Sequence, residues 1–160
     1  MDELLQMLHH YRTARGRMAS GFGDEADHTT SVAFGPLLGE LPPWHGLDPH
    51  STRSAKGHPV TIASPMGFLP GRLRGLTGAG ALVASDAKPG LGTRCVLRVD
   101  DGFDHTYLFP AVVSMVEDAD AGCLALIFDG SSELAGTQEL RGWPTAYPVA
   151  RRRSRGTPPV

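Results

Sequence analysis

The sequence predicts a mainly β fold: a small antiparallel barrel of six strands, with an amphipathic helix in front of it and a short helix behind. Three observations carry that prediction. Short apolar runs recur between residues 60 and 128, separated by clusters of turn residues. One of them, Thr93-Arg-Cys-Val-Leu-Arg-Val99, alternates strictly. Cys95, Leu97 and Val99 fall on one face and Arg94 and Arg98 on the other, the mark of a strand with one dry and one wet side. Finally, a glycine-rich turn, Gly75-Leu-Thr-Gly-Ala-Gly80, leads straight into the strand-like Ala81-Leu-Val-Ala-Ser85. A special turn at a strand entrance suits ligand reading better than catalysis.

The elements follow in order. In residues 2–18, Leu4, Met7, Leu8, Tyr11, Ala14 and Met18 recur at helical spacing and make one apolar stripe. Asp2 is the expected cap, and Arg12, Arg15 and Arg17 suit the carboxyl end of the dipole. Residues 19–52 read as a proline- and glycine-rich linker, pinned by Phe34, Leu37, Leu38 and Trp44. The barrel domain spans 53–142. Its strands are Val60-Thr-Ile-Ala63, Phe68 to Arg74, Ala81 to Ser85, Thr93 to Val99, His105 to Glu117 and Cys123 to Phe128. Pro110 interrupts the fifth strand and requires an edge position or a bulge there. Ser131 is a candidate cap for a short helix to Leu140, which Gly136 weakens. Residues 143–160, with Arg151-Arg-Arg-Ser-Arg155, read as a disordered basic tail.

Composition excludes several function classes. A formal net charge of −2 sets up no global field for nucleic acid or anionic membrane, so a nucleic-acid partner is not expected. No apolar run approaches the roughly 18–20 residues that span a bilayer. The opening Met1-Asp-Glu-Leu lacks the basic start of a secretory signal, and Cys95 and Cys123 sit in apolar patterns as small core hydrophobes. The expected location is the cytoplasm. Catalytic signatures are missing: there is no nucleophile elbow, zincin helix, phosphate loop or paired-cysteine motif. The seven histidines are scattered, and the carboxylates cluster only in turns. The chain is therefore expected to be non-enzymatic, with no metal and no cofactor.

The layout resembles a PilZ domain, the small six-stranded barrel that in many bacterial proteins binds cyclic di-GMP. The residues that carry the likeness are Leu76-Thr-Gly-Ala-Gly-Ala-Leu-Val83, Pro89-Gly-Leu-Gly-Thr-Arg94, Val112-Val-Ser-Met-Val116, and Cys123 to Phe128 closing into Ser131-Ser-Glu-Leu134. It covers roughly residues 53–141. Dinucleotide-binding members carry an Arg-x-x-x-Arg segment before the first strand and Asp-x-Ser-x-x-Gly at the glycine-rich turn. Here Arg53 stands at the leading arginine, Gly57 stands where the second would be, and Lys56 is the nearest cation. In the turn, Thr77 keeps the hydroxyl and Gly80 the glycine, while Gly75 replaces the aspartate. Arg72 and Arg74 lie just ahead of it.

The resemblance thus implies a ligand site of Arg53, Lys56, Arg72, Arg74, Thr77 and Gly80 on a divergent scaffold. A charge-assisted hydrogen bond contributes on the order of 1.5–3 kcal/mol. The two departures weaken binding by roughly 3–5 kcal/mol, or two to four decades. Two readings follow. One is a regulatory module of cyclic di-GMP signalling with a degenerate site. The other is a ligand-free adaptor, for example for pilus or motility machinery, taking a protein partner through its amino-terminal helix and linker.

Overall fold

A computed structural model describes residues 1–45, 55–103, 105–115 and 122–136 of the 160. Helices α1 (Asp2–Ala19) and α2 (Glu25–Leu38) precede seven strands. These are β1 (Pro59–Ser64), β2 (Gly67–Leu76), β3 (Gly80–Ala84), β4 (Arg94–Asp100), β5 (His105–Ser114), β6 (Cys123–Phe128) and β7 (Glu133–Gly136). Every pairing is antiparallel. The sheet runs β4-β1-β2-β3-β6-β5, and β4 pairs β5 to close six strands into a barrel, with β7 added on β5. The mainly β fold read from the alternation is therefore the fold observed. No helix among the described residues is long and apolar enough to cross a membrane.

The period-two pattern works as expected inside the barrel. Val60 and Ile62, Leu69 and Leu73, Val83, Leu97 and Val99, Tyr107 and Phe109, and Leu126 and Phe128 all turn inward and are buried. Tyr107 stacks on Phe109, and Phe109 packs on Phe128 with ring centroids 5.3 Å apart. Such aromatic pairs add to the stability that burial alone supplies. Cys95 and Cys123 are buried free thiols.

Pro110 shows how the register tolerates a missing donor. On one side β5 pairs β7 through His105–Leu108 and then β6 through Ala111–Ser114. Pro110 sits in the gap between these two partners, and its carbonyl accepts from the Asp129 backbone N–H at 2.9 Å. The strand has a local edge there, so no ladder bond is lost.

Four local expectations need correction. Asp2 is not the cap of α1: Met1 occupies that position without a side-chain bond, and Asp2 instead accepts from Gln6 one turn on. Within the segment read as linker, residues 25–38 form α2. Asp24 and Asp27 make a reciprocal capping box at its start, and Pro36 falls in its last turn, where it forfeits a single bond. Of the short carboxyl-terminal helix expected from Ser131 to Leu140, residues 133–136 are β7 instead, and 137–140 lie outside the described residues. The half of β5 that β6 leaves open offers unpaired backbone groups, and the chain leaving β6 satisfies them by running alongside.

Arg98 is the fourth correction. It faces outward as the alternation requires, yet it is only 2% exposed. Its Nε donates to Asp100 Oδ1 at 3.0 Å, and the Thr106 hydroxyl donates to the same oxygen at 2.6 Å. Two-residue spacing puts Arg98 and Asp100 on one face, so the pair neutralises itself and tolerates burial beside Thr61. Removing one partner of a buried pair costs far more than the pair contributes. Asp100→Ala is expected to lower unfolding stability by about 3 kcal/mol, read as a drop in the urea midpoint at unchanged slope.

Candidate functional site

The glycine-rich turn joins β2 to β3 at one end of the barrel. Its glycines are required by close approach. A side chain at Gly80 would run into the Leu126 carbonyl of β6, so this glycine serves strand packing. A side chain at Gly78 would lie 2.7 Å from the Tyr11 ring and 2.9 Å from the Gly39 carbonyl. Here the constraint comes from the helices. Leu5, Leu8 and Tyr11 of α1 and Leu38 of α2 belong to the same buried cluster as the barrel interior.

The helical segment takes up the polar groups of the turn as well. Thr77 is 2% exposed; its hydroxyl donates to the Leu41 carbonyl at 2.7 Å and accepts from the Ala79 N–H at 3.2 Å. The Gly78 N–H is shared between the carbonyls of Gly39 at 2.9 Å and Leu38 at 3.2 Å. Arg12 donates to the Gly78 carbonyl at 3.3 Å and to the Gly130 carbonyl at 2.9 Å, with its guanidinium 5.8 Å from the Phe128 ring centroid. Burial pushes the Arg12 guanidinium below the usual arginine value and the Tyr11 hydroxyl above the usual tyrosine value. The turn therefore receives the α1–α2 hairpin as a docked internal element.

The six residues implied by the resemblance separate into groups. Thr77 and Gly80 are covered in the turn. Lys56, Arg72 and Arg74 are exposed outside it. The Gly57 N–H donates to the Leu73 carbonyl at 2.7 Å, and Arg72 donates to the Gly57 carbonyl at 2.9 Å, which lays Lys56–Gly57 beside β2. Arg74 is the extra residue of a β-bulge between Leu73, opposite Val83, and Gly75, opposite Leu82. Arg53 lies outside the described residues. The structure thus brings Lys56 and Arg72 to one edge and keeps the hydroxyl of Thr77 for internal bonds.

The apolar residues read as pinning the linker divide: Leu38 is buried and Phe34 packs on the core, but Leu37 is exposed. Helix α2 buries its narrow side, Ser31, Gly35 and Leu38, and turns Val32, Ala33, Pro36 and Leu37 to solvent. Val32 is 62% and Leu37 58% exposed, and Leu41 just beyond the helix is also exposed. Residues 28–39 carry no formally charged side chain with histidine neutral. The sequence signals were Asp24-x-x-Asp27 ahead of an apolar run, a helix start that the later prolines obscured.

Elsewhere a shallow groove of about 410 Å³ opens along Ala63, Pro65, Val96 and Pro110. Its one cation, Arg94, is bridged to Asp129 at 2.8 Å. Burial pushes the Cys95 thiol up to about 11, so almost none is thiolate at neutral pH.

Two outcomes are expected. Thr77→Val leaves the Leu41 carbonyl and Ala79 N–H without their partner and lowers stability by about 1–3 kcal/mol in urea unfolding. Cys95 resists a thiol reagent at pH 7 in the folded chain and reacts once the chain is unfolded, as followed by mass spectrometry. No family model matches this chain and no curated protein matches it, so the reading of the site stands on its geometry.

Proposed function

We propose that this chain is a non-enzymatic regulatory module of PilZ-like design, acting in the cytoplasm as a protein-interaction adaptor. The single observation that supports this reading is the occupied turn. The position that reads a dinucleotide in the family it resembles is filled here by Tyr11, Arg12, Leu38, Gly39 and Leu41 of the same chain. The same hairpin presents an uncharged apolar face at Val32, Ala33, Pro36 and Leu37, the kind of surface that a partner covers. A place in cyclic di-GMP signalling comes from the likeness alone.

A second reading keeps direct cyclic di-GMP binding through Lys56, Arg72 and Arg74, with Arg53. The exposed cations along β2 favour it, because arginine matches phosphate and guanine with a planar fork. Isothermal titration of the full chain with cyclic di-GMP, with cyclic di-AMP as control, separates the two. The adaptor reading expects no saturable heat. Saturable guanine-selective binding that Arg72→Ala abolishes would establish the receptor reading in its place.

The partner surface has its own test. Deleting the first forty residues would strip Leu5, Leu8, Tyr11 and Leu38 from the core, so surface changes are the sharper probe. Val32→Glu combined with Leu37→Glu is expected to leave the melting temperature within about 2 °C of the parent chain, as surface substitutions do. It should abolish affinity capture of the protein that the parent chain retains. Unchanged capture would remove α2 from the interface.

A further inference from the structure

We infer that the α1–α2 hairpin is a detachable cap on the barrel end, with His9 as the group through which mild acid releases it and uncovers the glycine-rich turn. The polar fit of α1 is incomplete. Among the described residues, the buried side-chain polar atoms without a hydrogen-bond partner are Asp2 Oδ1, Arg12 Nε and Thr13 Oγ1, and all three belong to α1. Each such atom carries the penalty of lost hydration with nothing in return. The barrel has no atom of this kind among the described residues. Its strand pairing also closes on itself without any ladder bond to the helices, although Leu5, Leu8, Tyr11 and Leu38 share its buried cluster. Local opening is easiest where polar groups are least well satisfied, and among the described residues those groups lie on α1.

His9 sits where α1 meets the barrel. Its Nδ1 lies 2.6 Å from the Ser132 hydroxyl, and its ring is 5.8 Å from the Tyr107 ring of β5. The Ser132 hydroxyl has one hydrogen, and it donates to the His9 carbonyl at 3.2 Å. With that hydrogen on the carbonyl the imidazole donates at Nδ1, a tautomer assigned from the network. Protonation adds a charge at Nε2 in a half-buried place.

The surroundings do not welcome that charge. On its own helix the neighbours are His10, 5.7 Å away ring to ring, and the Arg12 guanidinium one turn on. From β5 it meets Tyr107, and from the connection after β6 the hydroxyl of Ser132. The carboxylates of that connection are Asp129, which bridges Arg94, and Glu133, and neither bonds the His9 ring. Burial first, and the charge of His10 second, hold His9 below the usual histidine value of 6.5. A histidine whose folded value is depressed stabilises the docked state above 6.5. That contribution is lost as the pH falls from 6.5 through the depressed value.

Release would free the Thr77 hydroxyl and the Gly78 N–H, the two turn groups that the hairpin occupies. Anything that binds the uncovered turn would favour the released hairpin by the same linkage. This consequence rests on the regulatory reading above, whereas the release itself does not and is measured separately.

The test is native-state hydrogen exchange of the full chain followed by mass spectrometry and corrected for intrinsic rates. Protection of the 2–19 and 25–38 amides is expected to fall between about pH 7.5 and pH 5, while strands β4 and β5 hold theirs. His9→Gln keeps an N–H for Ser132 without a titrating ring, and its hairpin protection should not respond to pH. Gly78→Ala crowds Tyr11 and should lower hairpin protection at every pH without moving the barrel. A single protection factor shared by hairpin and barrel at all pH values would overturn the inference. So would a pH response that survives in His9→Gln, or a barrel that loosens together with the hairpin in Gly78→Ala.

Discussion

A barrel this small has no room inside except for its own side chains, and it cannot close its own ends. At the end where β2 hands over to β3, Leu73, Leu76, Tyr107 and Phe128 need a cover, and the remainder of the architecture is arranged around supplying one. Helix α1 does so with Leu5, Leu8 and Tyr11, and at 18 residues it is about 27 Å long, enough to lie across the opening. Bringing it close demands small residues under it. A side chain at Gly78 would press on the Tyr11 ring, and one at Gly16 would collide with Ser131. Arg12 then ties the β2–β3 turn to the β6–β7 turn by bonding the carbonyls of Gly78 and Gly130. The tie has no carboxylate partner in it and leaves Nε unsatisfied, so the cover is apolar in its strength and imperfect in its polar fit.

That arrangement gives α2 its unusual orientation. Its one large fully buried side chain is Leu38, and Ser31 and Gly35 let it lie close on its inner side. With its last carbonyls engaged by the turn, the helix has no freedom to roll Val32 and Leu37 inward. The apolar face left outside is therefore a consequence of docking. It is also what makes the hairpin a candidate for carrying a partner's contact.

Much of this was legible in the chain. Strict alternation in Thr93–Val99 placed Cys95, Leu97 and Val99 correctly, because a half-buried strand leaves its period in the residues themselves. Pro110 announced a break in pairing for the same local reason. What the chain did not announce depends on partners distant in sequence. Arg98 reads as wet until Asp100 and Thr106 are seen to share its face. Residues 133–136 read as helical until the open half of β5 is known to lie beside them. Helix α2 lacks the usual apolar stripe toward the core, so its capping box was the one local sign of it. For the site, Thr77 and Gly80 were placed in the turn as read, but their covering by residues 11–12 and 38–41 has no local signature at all.

The position of Gly75 bears directly on the covered turn. It is buried, opposite Leu82 at the bulge. A carboxylate there would have to leave water, and neighbouring donors are already committed: the Thr77 hydroxyl to Leu41, the Gly78 N–H to Leu38 and Gly39, the Ala79 N–H to Thr77. A buried charge without partners costs several kcal/mol, on the order of half a domain's net stability. Once the hairpin is docked, glycine at 75 is therefore favoured over the aspartate of the family this chain resembles. Glycine at 75 and the docked helices are thus coupled. An aspartate placed at 75 would find donors only after the hairpin has let go of the turn.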